Sequence, residues 1–465
     1  MASDRPPAGH GSLLDRALRV AGDLRPGEGG TAALMSVAIT LLMLSYYVVK
    51  IAREPLILSV EGGAELKSYA AALQAMTLVA LLPLYDRITS RVGTRRLLFV
   101  VVGFFFVALQ GFFAALQASL PIGAIFFVWV GVYGLSTIAL FWSFASEVYR
   151  PEAGERLFPV LGIGMTGGAF AGSLLAGRLF GQEVRPAIVL QCAAGLLLAH
   201  GLTYALLLRR RDVRAALRSA RPTAQPSARG ASLAGFRLLV ERPYLRLMAL
   251  LVLLLNLVNT TGEYILSRYV VELADASLAA AGEVADPDAW RGAFIGAFYG
   301  DFFFWVNVAS VTLQAFVAAR LVRHLGVAGV LFALPAVAGA TYLLASAGAG
   351  FAIFRWAKAC ENATDYSVMN TARAMLWLPT ERQEKYAAKQ ILDTFVVRLG
   401  DMLSAAVVFA GTTWLGLGIR GFAALNVVLV ALWASVAWLL WRSYRQLAAP
   451  CAEVGSAQQD AVVLE

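Results

Sequence analysis

Charge is scarce in this chain. Only 15% of its 465 residues are Asp, Glu, Lys or Arg, where a soluble domain carries about 25%. That deficit excludes an ordinary water-soluble domain of this length. Histidine and cysteine are scarcer still, at three each. His10, His200 and His324 are scattered, and Cys192, Cys360 and Cys451 lack metal or disulfide spacing. No His pair, Cys nucleophile or metal-ligand spacing is present, so neither an enzyme, a metal centre nor a cofactor is expected. Residues 1–30 are polar, without the short apolar core and small-residue cleavage site of a signal peptide.

Apolar sequence fills the space instead. Hydrophobic residues make up 59% of the chain, and the mean hydropathy is +0.67. Runs of roughly 20 apolar residues recur, each able to cross a bilayer as a helix. They fall at 32–55, 68–86, 97–117, 121–146, 157–180, 186–208, 244–271, 292–319, 327–347, 350–376, 388–413 and 419–441. The expectation is an all-α membrane protein of about twelve transmembrane helices, with the lipid bilayer as its surroundings.

The net charge of +9 is concentrated in alternate loops. Arg87, Arg91, Arg95 and Arg96 follow the second run; Arg150 and Arg156 follow the fourth; seven arginines lie between 209 and 229. Arg320 and Arg323 follow the eighth, and Arg382 and Lys385 the tenth, while 272–288 is acidic. By the positive-inside rule both termini are cytoplasmic, in a protein of the inner (plasma) membrane. The basic balance reports topology, and no nucleic-acid partner is expected. "SLLDRALRVAGDL" places Leu13, Leu14, Ala17, Leu18 and Ala21 on one face, the pattern of a helix lying on the membrane surface.

The polar stretch "RRRDVRAALRSARPTAQPSARGAS" (209–232) divides the runs six and six, the plan of a major-facilitator transporter with pseudo-symmetric halves. The expected organisation is a cytoplasmic segment 1–31, a first half 32–208, a basic linker 209–243, a second half 244–442, and a cytoplasmic tail 443–465 that is polar and disordered. Two internal matches support the repeat. "RITSRVG" (87–93) parallels "RLVRHLG" (320–326), and "PEAGERLF" (151–158) parallels "PTERQEKYAAK" (379–389). The loop from Asp86 to Arg96 suits a hinge that pairs Asp86 with an arginine. Gly-rich "GIGMTGGAFAGSLLAG" (162–177) follows no strand and lacks a Gly-Lys-Ser/Thr ending, so it reads as a small-residue face for close helix packing.

Charge inside the membrane costs several kcal/mol and normally faces a cavity or a partner. Here Lys50, Arg53 and Glu54 occupy the first run, Glu147 ends the fourth, Glu263 and Arg268 lie in the seventh and Asp301 in the eighth. The tenth holds Arg355, Lys358, Glu361 and Asp365, with Lys358, Glu361 and Asp365 on one stripe; the eleventh holds Lys389, Asp393, Arg398 and Asp401. Helical spacing joins Asp393 to Arg398 and Arg398 to Asp401. The cations Lys50, Arg53, Lys358 and Arg398, with Lys389, are the candidate substrate-binding residues of a central basic cavity; the first four alone are more than a sugar or drug requires. They suit a phosphate ester, to which Arg offers a fork and Lys a point charge. Glu54, Glu147, Glu263, Asp393 and Asp401 are candidates for coupling or gating. The blander reading is that these charges pair to lock the halves, with Glu54 neutralising Arg53. "FYGDFFFW" (298–305) reads as packing or lipid-facing sequence.

These residues resemble the ATP/ADP translocases of plastids and intracellular bacteria, a nucleotide-transporter branch of the major-facilitator superfamily. That family carries Tyr-x-x-x-Arg-x-x-Lys-Asp-x-Leu in its first span, where this chain has Tyr46, Lys50, Arg53, Glu54 and Leu56. "FWSFASE" (141–147), "EAGERLFPVLGIG" (152–164), "ARAMLWLP" (372–379), Lys385, Lys389, Asp393 and "RLGD" (398–401) follow in the family's order through both halves. The resemblance implies a twelve-helix carrier exchanging ATP for ADP by alternating access, acting as a monomer. Functional cations carry over to Arg53 and Lys389, and a span-seven acid to Glu263. The chain departs from the pattern at Arg373 (Lys in the family), Ala374 (Glu), Asp401 (Lys) and near Val130 (Glu), which bears on the substrate's charge. Two rivals are a proton-coupled symporter using Glu147, Glu263 or Asp393, and a non-transporting membrane binding protein.

Overall fold

The computed structural model describes residues 28–219 and 228–463, together with Arg25. The surface helix expected over 13–21 lies outside them. Among the described residues there is no strand.

The chain runs through α1 (Gly29–Leu58), α2 (Gly63–Arg91), α3 (Thr94–Gln117), α4 (Gly123–Val148), α5 (Pro151–Gly181) and α6 (Pro186–Arg209). Two helices, α7 (Arg211–Ser219) and α8 (Ala228–Glu241), occupy the polar linker. Then follow α9 (Pro243–Ala281), α10 (Pro287–Thr312), α11 (Ala319–Ser346), α12 (Phe351–Thr364), α13 (Asn370–Leu376), α14 (Arg382–Ile391), α15 (Val397–Thr413) and α16 (Ile419–Val463). The tail expected to be disordered instead continues α16 as helix to Val463. Ala and Gln, which recur through this stretch, are good helix formers.

Eight segments among the described residues are long and apolar enough to cross a bilayer. One of them is the 60-residue Pro287–Ser346, which breaks at Gly326 (φ 60°, ψ −151°), a conformation that glycine alone adopts without penalty. The expected runs 350–376 and 388–413 are divided by π-helical turns at Asp365–Met369 and Leu392–Val396, which leaves helices of 14, 7, 10 and 17 residues. The two glycines of the internal match both interrupt helix, in different conformations. Gly93 is the extended residue before α3, and Gly326 breaks α11.

The helices gather into two compact units. Unit 1 comprises residues up to Leu56, Tyr85–Ala224 and Asp288–Phe304; unit 2 comprises Ile57–Leu84, Gln225–Pro287 and Trp305 onward. Within unit 1, α1 lies directly on the glycine face of α5. A side chain at Gly164 would come within 2.7 Å of Ser36 Oγ, one at Gly172 within 2.7 Å of the Leu44 carbonyl, and one at Gly168 would strike the Thr40 backbone. Spacing of four residues keeps these glycines on one face, and small residues are how membrane helices approach closely.

Candidate substrate site

The candidate cations of unit 1 lie on α1. Ser45, buried, bonds Tyr133 of α4 (3.0 Å) and the Ala193 carbonyl of α6 (2.9 Å). That fixes the rotation of α1 at the level of the next two turns. Lys50 is part-buried, and its ammonium stands 4.0 Å from the ring centre of Phe303 and 5.0 Å from that of Tyr47. Arg53 stacks its guanidinium 4.1 Å from the Phe127 ring centre and bonds Glu54 through Nη2 at 2.7 Å and Nε at 3.1 Å. Glu54 is fully buried. Aromatic faces attract cations by their quadrupole, about 0.5–2 kcal/mol per contact depending on desolvation, which helps to hold both cations in place. Phe303 and its neighbours Tyr299 and Phe302 are buried, so "FYGDFFFW" supplies packing, and one of its rings supplies a cation face.

Unit 2 holds a buried ion network. Lys358 of α12 is fully buried. Its ammonium bonds Glu361 Oε1 at 2.8 Å, Asn259 Oδ1 of α9 at 2.9 Å and the Tyr342 hydroxyl of α11 at 3.4 Å. Tyr342 in turn donates to Glu361 Oε1 at 2.9 Å. Any side chain at Gly262 would meet the Tyr342 hydroxyl and come within 2.9 Å of Lys358 Nζ, so glycine there makes the room. Asn362 donates to Glu263 at 2.9 Å. Arg398 pairs with Asp401 at 3.3 Å, and Thr260 donates to the same carboxylate at 3.0 Å. Lys389 and Asp393 are exposed, and Arg373 lies within electrostatic reach of both Asp365 and Asp393.

The placements refine the sequence expectations. Glu147 accepts from Thr94 at 2.9 Å, tying the end of α4 to the start of α3. The partner found for Arg398 is Asp401; Asp393 sits instead near Lys389 and Arg373. Spacing explains the pairing: Arg398 and Asp401 are three apart and share a face, whereas the five-residue step from Asp393 to Arg398 amounts to about 140° of turn on an α-helix. Lys358 is engaged on all sides, so an anion reaching it would have to compete with Glu361. Val130, where the family pattern places an acid, is fully buried. The side chain of Asp86 lies outside those described.

Several groups of the site carried no sequence signal strong enough to single them out. In unit 2 these include Asn259, Tyr342 and Asn362, and also Glu65 of α2, which joins Arg268 (2.7 Å) and Tyr264 (2.8 Å) of α9. Lys67 donates to Ser267 at 3.0 Å. Glu65 and Lys67 stand in the first turns of a helix, where charge ordinarily means solvent.

At the Glu28 end of α1, still within unit 1, Arg156 of α5 grips Glu28 with a fork of 3.0 and 3.1 Å, and the Arg25 N–H adds a bond at 2.9 Å. Thr31 donates to Asp212 of α7, which also accepts from Arg210 at 3.3 Å. Burial pushes both carboxyls up, but these bonds and cations outweigh it and hold Glu28 and Asp212 below the usual carboxylate range.

Among the described residues the fold is all-helical, with apolar spans and with charge kept for a few paired positions. Solved structures agree on the fold. The nucleoside transporter NupG superposes with a TM-score of 0.62 at 12% identity, covering 89% of this chain and 98% of that one. A bacterial homologue of the iron transporter ferroportin gives 0.60 at 13% identity, covering 88% and 98%. No family model matches the chain. In sequence it is a distant relative of carriers named ADP,ATP carrier protein 1. The one from Chlamydia trachomatis is 23% identical over 326 residues, 60% of this chain and 56% of the carrier. That from Chlamydia muridarum is 23% identical over 343 residues, 61% and 60%. The chain therefore aligns with less than two thirds of the length of either relative.

Proposed function

We propose that this protein is a nucleotide carrier of the ATP/ADP type, working by alternating access and exchange. The observation that carries the reading is the presentation of Lys50 and Arg53 on α1, each against an aromatic face and Arg53 poised beside a single carboxylate. Arg53 can hand one or both N–H groups from Glu54 to a phosphate, and Lys50 can add a point charge from its place over the two rings. In unit 2, Lys389, Arg398 and Lys358 are the cations the carrier would recruit, with Glu263, Asp393 and Asp401 as their counter-charges. Glu147 gates through Thr94. Kinship with the chlamydial carriers supports the substrate class.

Exchange follows from charge. A cavity whose cations have been unpaired for an anion returns most readily with another anion of similar charge. Counting α2, the two π-divided runs and both sides of Gly326 gives twelve passes. Arginine-rich loops then place both termini in the cytoplasm of a plasma-membrane protein acting as a monomer.

The test is uptake of labelled ATP into proteoliposomes preloaded with ADP, beside empty vesicles and Arg53→Ala. Uptake that requires internal ADP and is lost in the variant supports the reading. No uptake by folded protein under either condition refutes it.

A further inference from the structure

Behind the Lys358 network lies a cavity of about 10 Å³, lined by Leu255, Val258, Asn259, Leu334, Glu361, Asp365 and Trp433. That is the space of a single water, which needs roughly 10–15 Å³ and polar partners. Two lining residues offer such partners. Glu361 Oε2 is buried and bonded to nothing in the protein, although Oε1 of the same carboxylate takes both Lys358 and Tyr342. Trp433 Nε1, from α16, is likewise buried without an acceptor. Glu361 is 3% exposed and Trp433 is 1% exposed. An orphan acceptor and an orphan donor on one water-sized cavity are satisfied together by one water, which accepts from the indole and donates to the carboxylate. An indole N–H repels a cation, so a bound sodium ion fits the lining less well. Asp365, part-exposed, lines the same cavity and begins the π turn.

We propose that this cavity is a proton-loading site, in which one water relays a proton from Asp365 to Glu361, and that the loaded Glu361 frees Lys358 for an anion. The release of Lys358 to an anionic substrate rests on the transport reading above; the loading does not. In the relay the cavity water gives a proton to Glu361 Oε2 and takes one from Asp365, which is reloaded from solvent. One O–H bond forms for each that breaks.

The coupling follows from charge conservation in a dry place. Ionised Glu361 and Lys358 together are neutral. A proton on Glu361 leaves the ammonium as an uncompensated cation, fully buried, which costs far more than it would in water. An anion near Lys358 removes that penalty, so proton and anion bind cooperatively, and by linkage each raises the affinity for the other. The other groups facing Glu361 set the balance. Lys358 and Asp365 come from its own run, Tyr342 from α11 and Glu263, tied to Asn362, from α9. The cavity-lining Trp433 and nearby Asn426 of α16 do not titrate, and Arg373 acts on Asp365.

Infrared difference spectroscopy of the purified full chain, titrated from about pH 4 to about pH 9, tests this with and without ATP. A protonated-carboxyl band that titrates, vanishes in Glu361→Gln and moves to higher pH with ATP is the expected result. Trp433→Phe and Asp365→Asn should keep the band but slow its appearance after a pH jump. If Glu361→Gln alone does not fold, Lys358→Met combined with Glu361→Gln removes both charges and serves as the band-free reference. Folded protein with no Glu361-dependent band overturns the proposal, even where ATP/ADP exchange is observed. A Glu361-dependent band in protein that moves no ATP upholds the loading site and sinks the nucleotide reading.

Discussion

Arg53 directs both Nε and Nη2 at one oxygen of its neighbour Glu54, at 3.1 and 2.7 Å, while its flat face rests on Phe127. The carboxylate is fully buried, and the guanidinium is its ion-pair partner at 2.7 Å. Removing one partner of a buried pair typically costs about 3–5 kcal/mol, whereas removing both is far milder. Arg53→Ala should therefore lower the thermal stability of the detergent-solubilised protein markedly, and adding Glu54→Gln should restore most of it. If transport stays lost in the restored double variant, Arg53 acts on the substrate and not merely on the fold. Recovered transport would assign it a structural role.

The same logic applies to Lys358 and Glu361 with a different outcome for function. Lys358→Met leaves Glu361 charged and buried, and should destabilise by about 3–5 kcal/mol; the combination with Glu361→Gln should recover much of this. A melting-temperature cycle over the two single variants and the double one measures the coupling. A coupling near zero would contradict the 2.8 Å contact.

Lys50 lies over two rings, so its contribution is divisible. Phe303→Leu keeps most of the apolar volume and removes the ring face 4.0 Å from the ammonium. About 1 kcal/mol of cation–π attraction should go with it, roughly a fivefold change in the KM of a phosphate-bearing substrate with kcat little altered. An unchanged KM would detach Lys50 from substrate binding.

The charges on α1 were legible because three of them interrupt an apolar run within one turn. The Lys358–Glu361 contact was legible from its spacing of three. Tyr342, Asn259 and Trp433 were not: each is an unremarkable residue of a membrane helix, brought in from another element by tertiary packing. The small-residue face of α5 read correctly, since its four-residue spacing has no use other than close approach. The π turns left no trace in composition, and Asp393 and Arg398 failed to pair because a spacing of five separates them by about 140° on an α-helix. Glu65 and Lys67 were missed because charge in a first helical turn looks solvated until its partners on α9 are known.

Gly168 is where the fit of α1 on α5 is tightest, against the Thr40 backbone. Gly168→Leu forces the two helices apart, and overpacking of this kind costs about 1–3 kcal/mol or more. The variant should lose monodispersity in detergent and melt earlier. Gly167→Leu, on the open side with nothing within 4 Å, should behave as wild type. Equal effects at both positions would argue against the packing assignment.

Acid should loosen the Glu28 end of α1 before the rest of unit 1. Both Glu28 and Asp212 are held below the usual carboxylate range. A carboxyl with a depressed native value binds fewer protons folded than unfolded, so its stabilisation is present above the unfolded value and is lost as pH falls through the native one. Their contributions are therefore complete at neutral pH and fade below about pH 4. Each is small, under about 1 kcal/mol, because Glu28 and Asp212 keep 28% and 50% of their side chains exposed. Hydrogen exchange at the first turn of α1, followed from neutral pH to about pH 2 and corrected for the intrinsic rate, reads the effect directly. Protection there should fall with acid in the wild type, while Glu28→Gln combined with Asp212→Asn should start lower and change less. A wild type whose protection at Thr31 and Ala32 is flat across the range would mean that the fork from Arg156 carries no net stability.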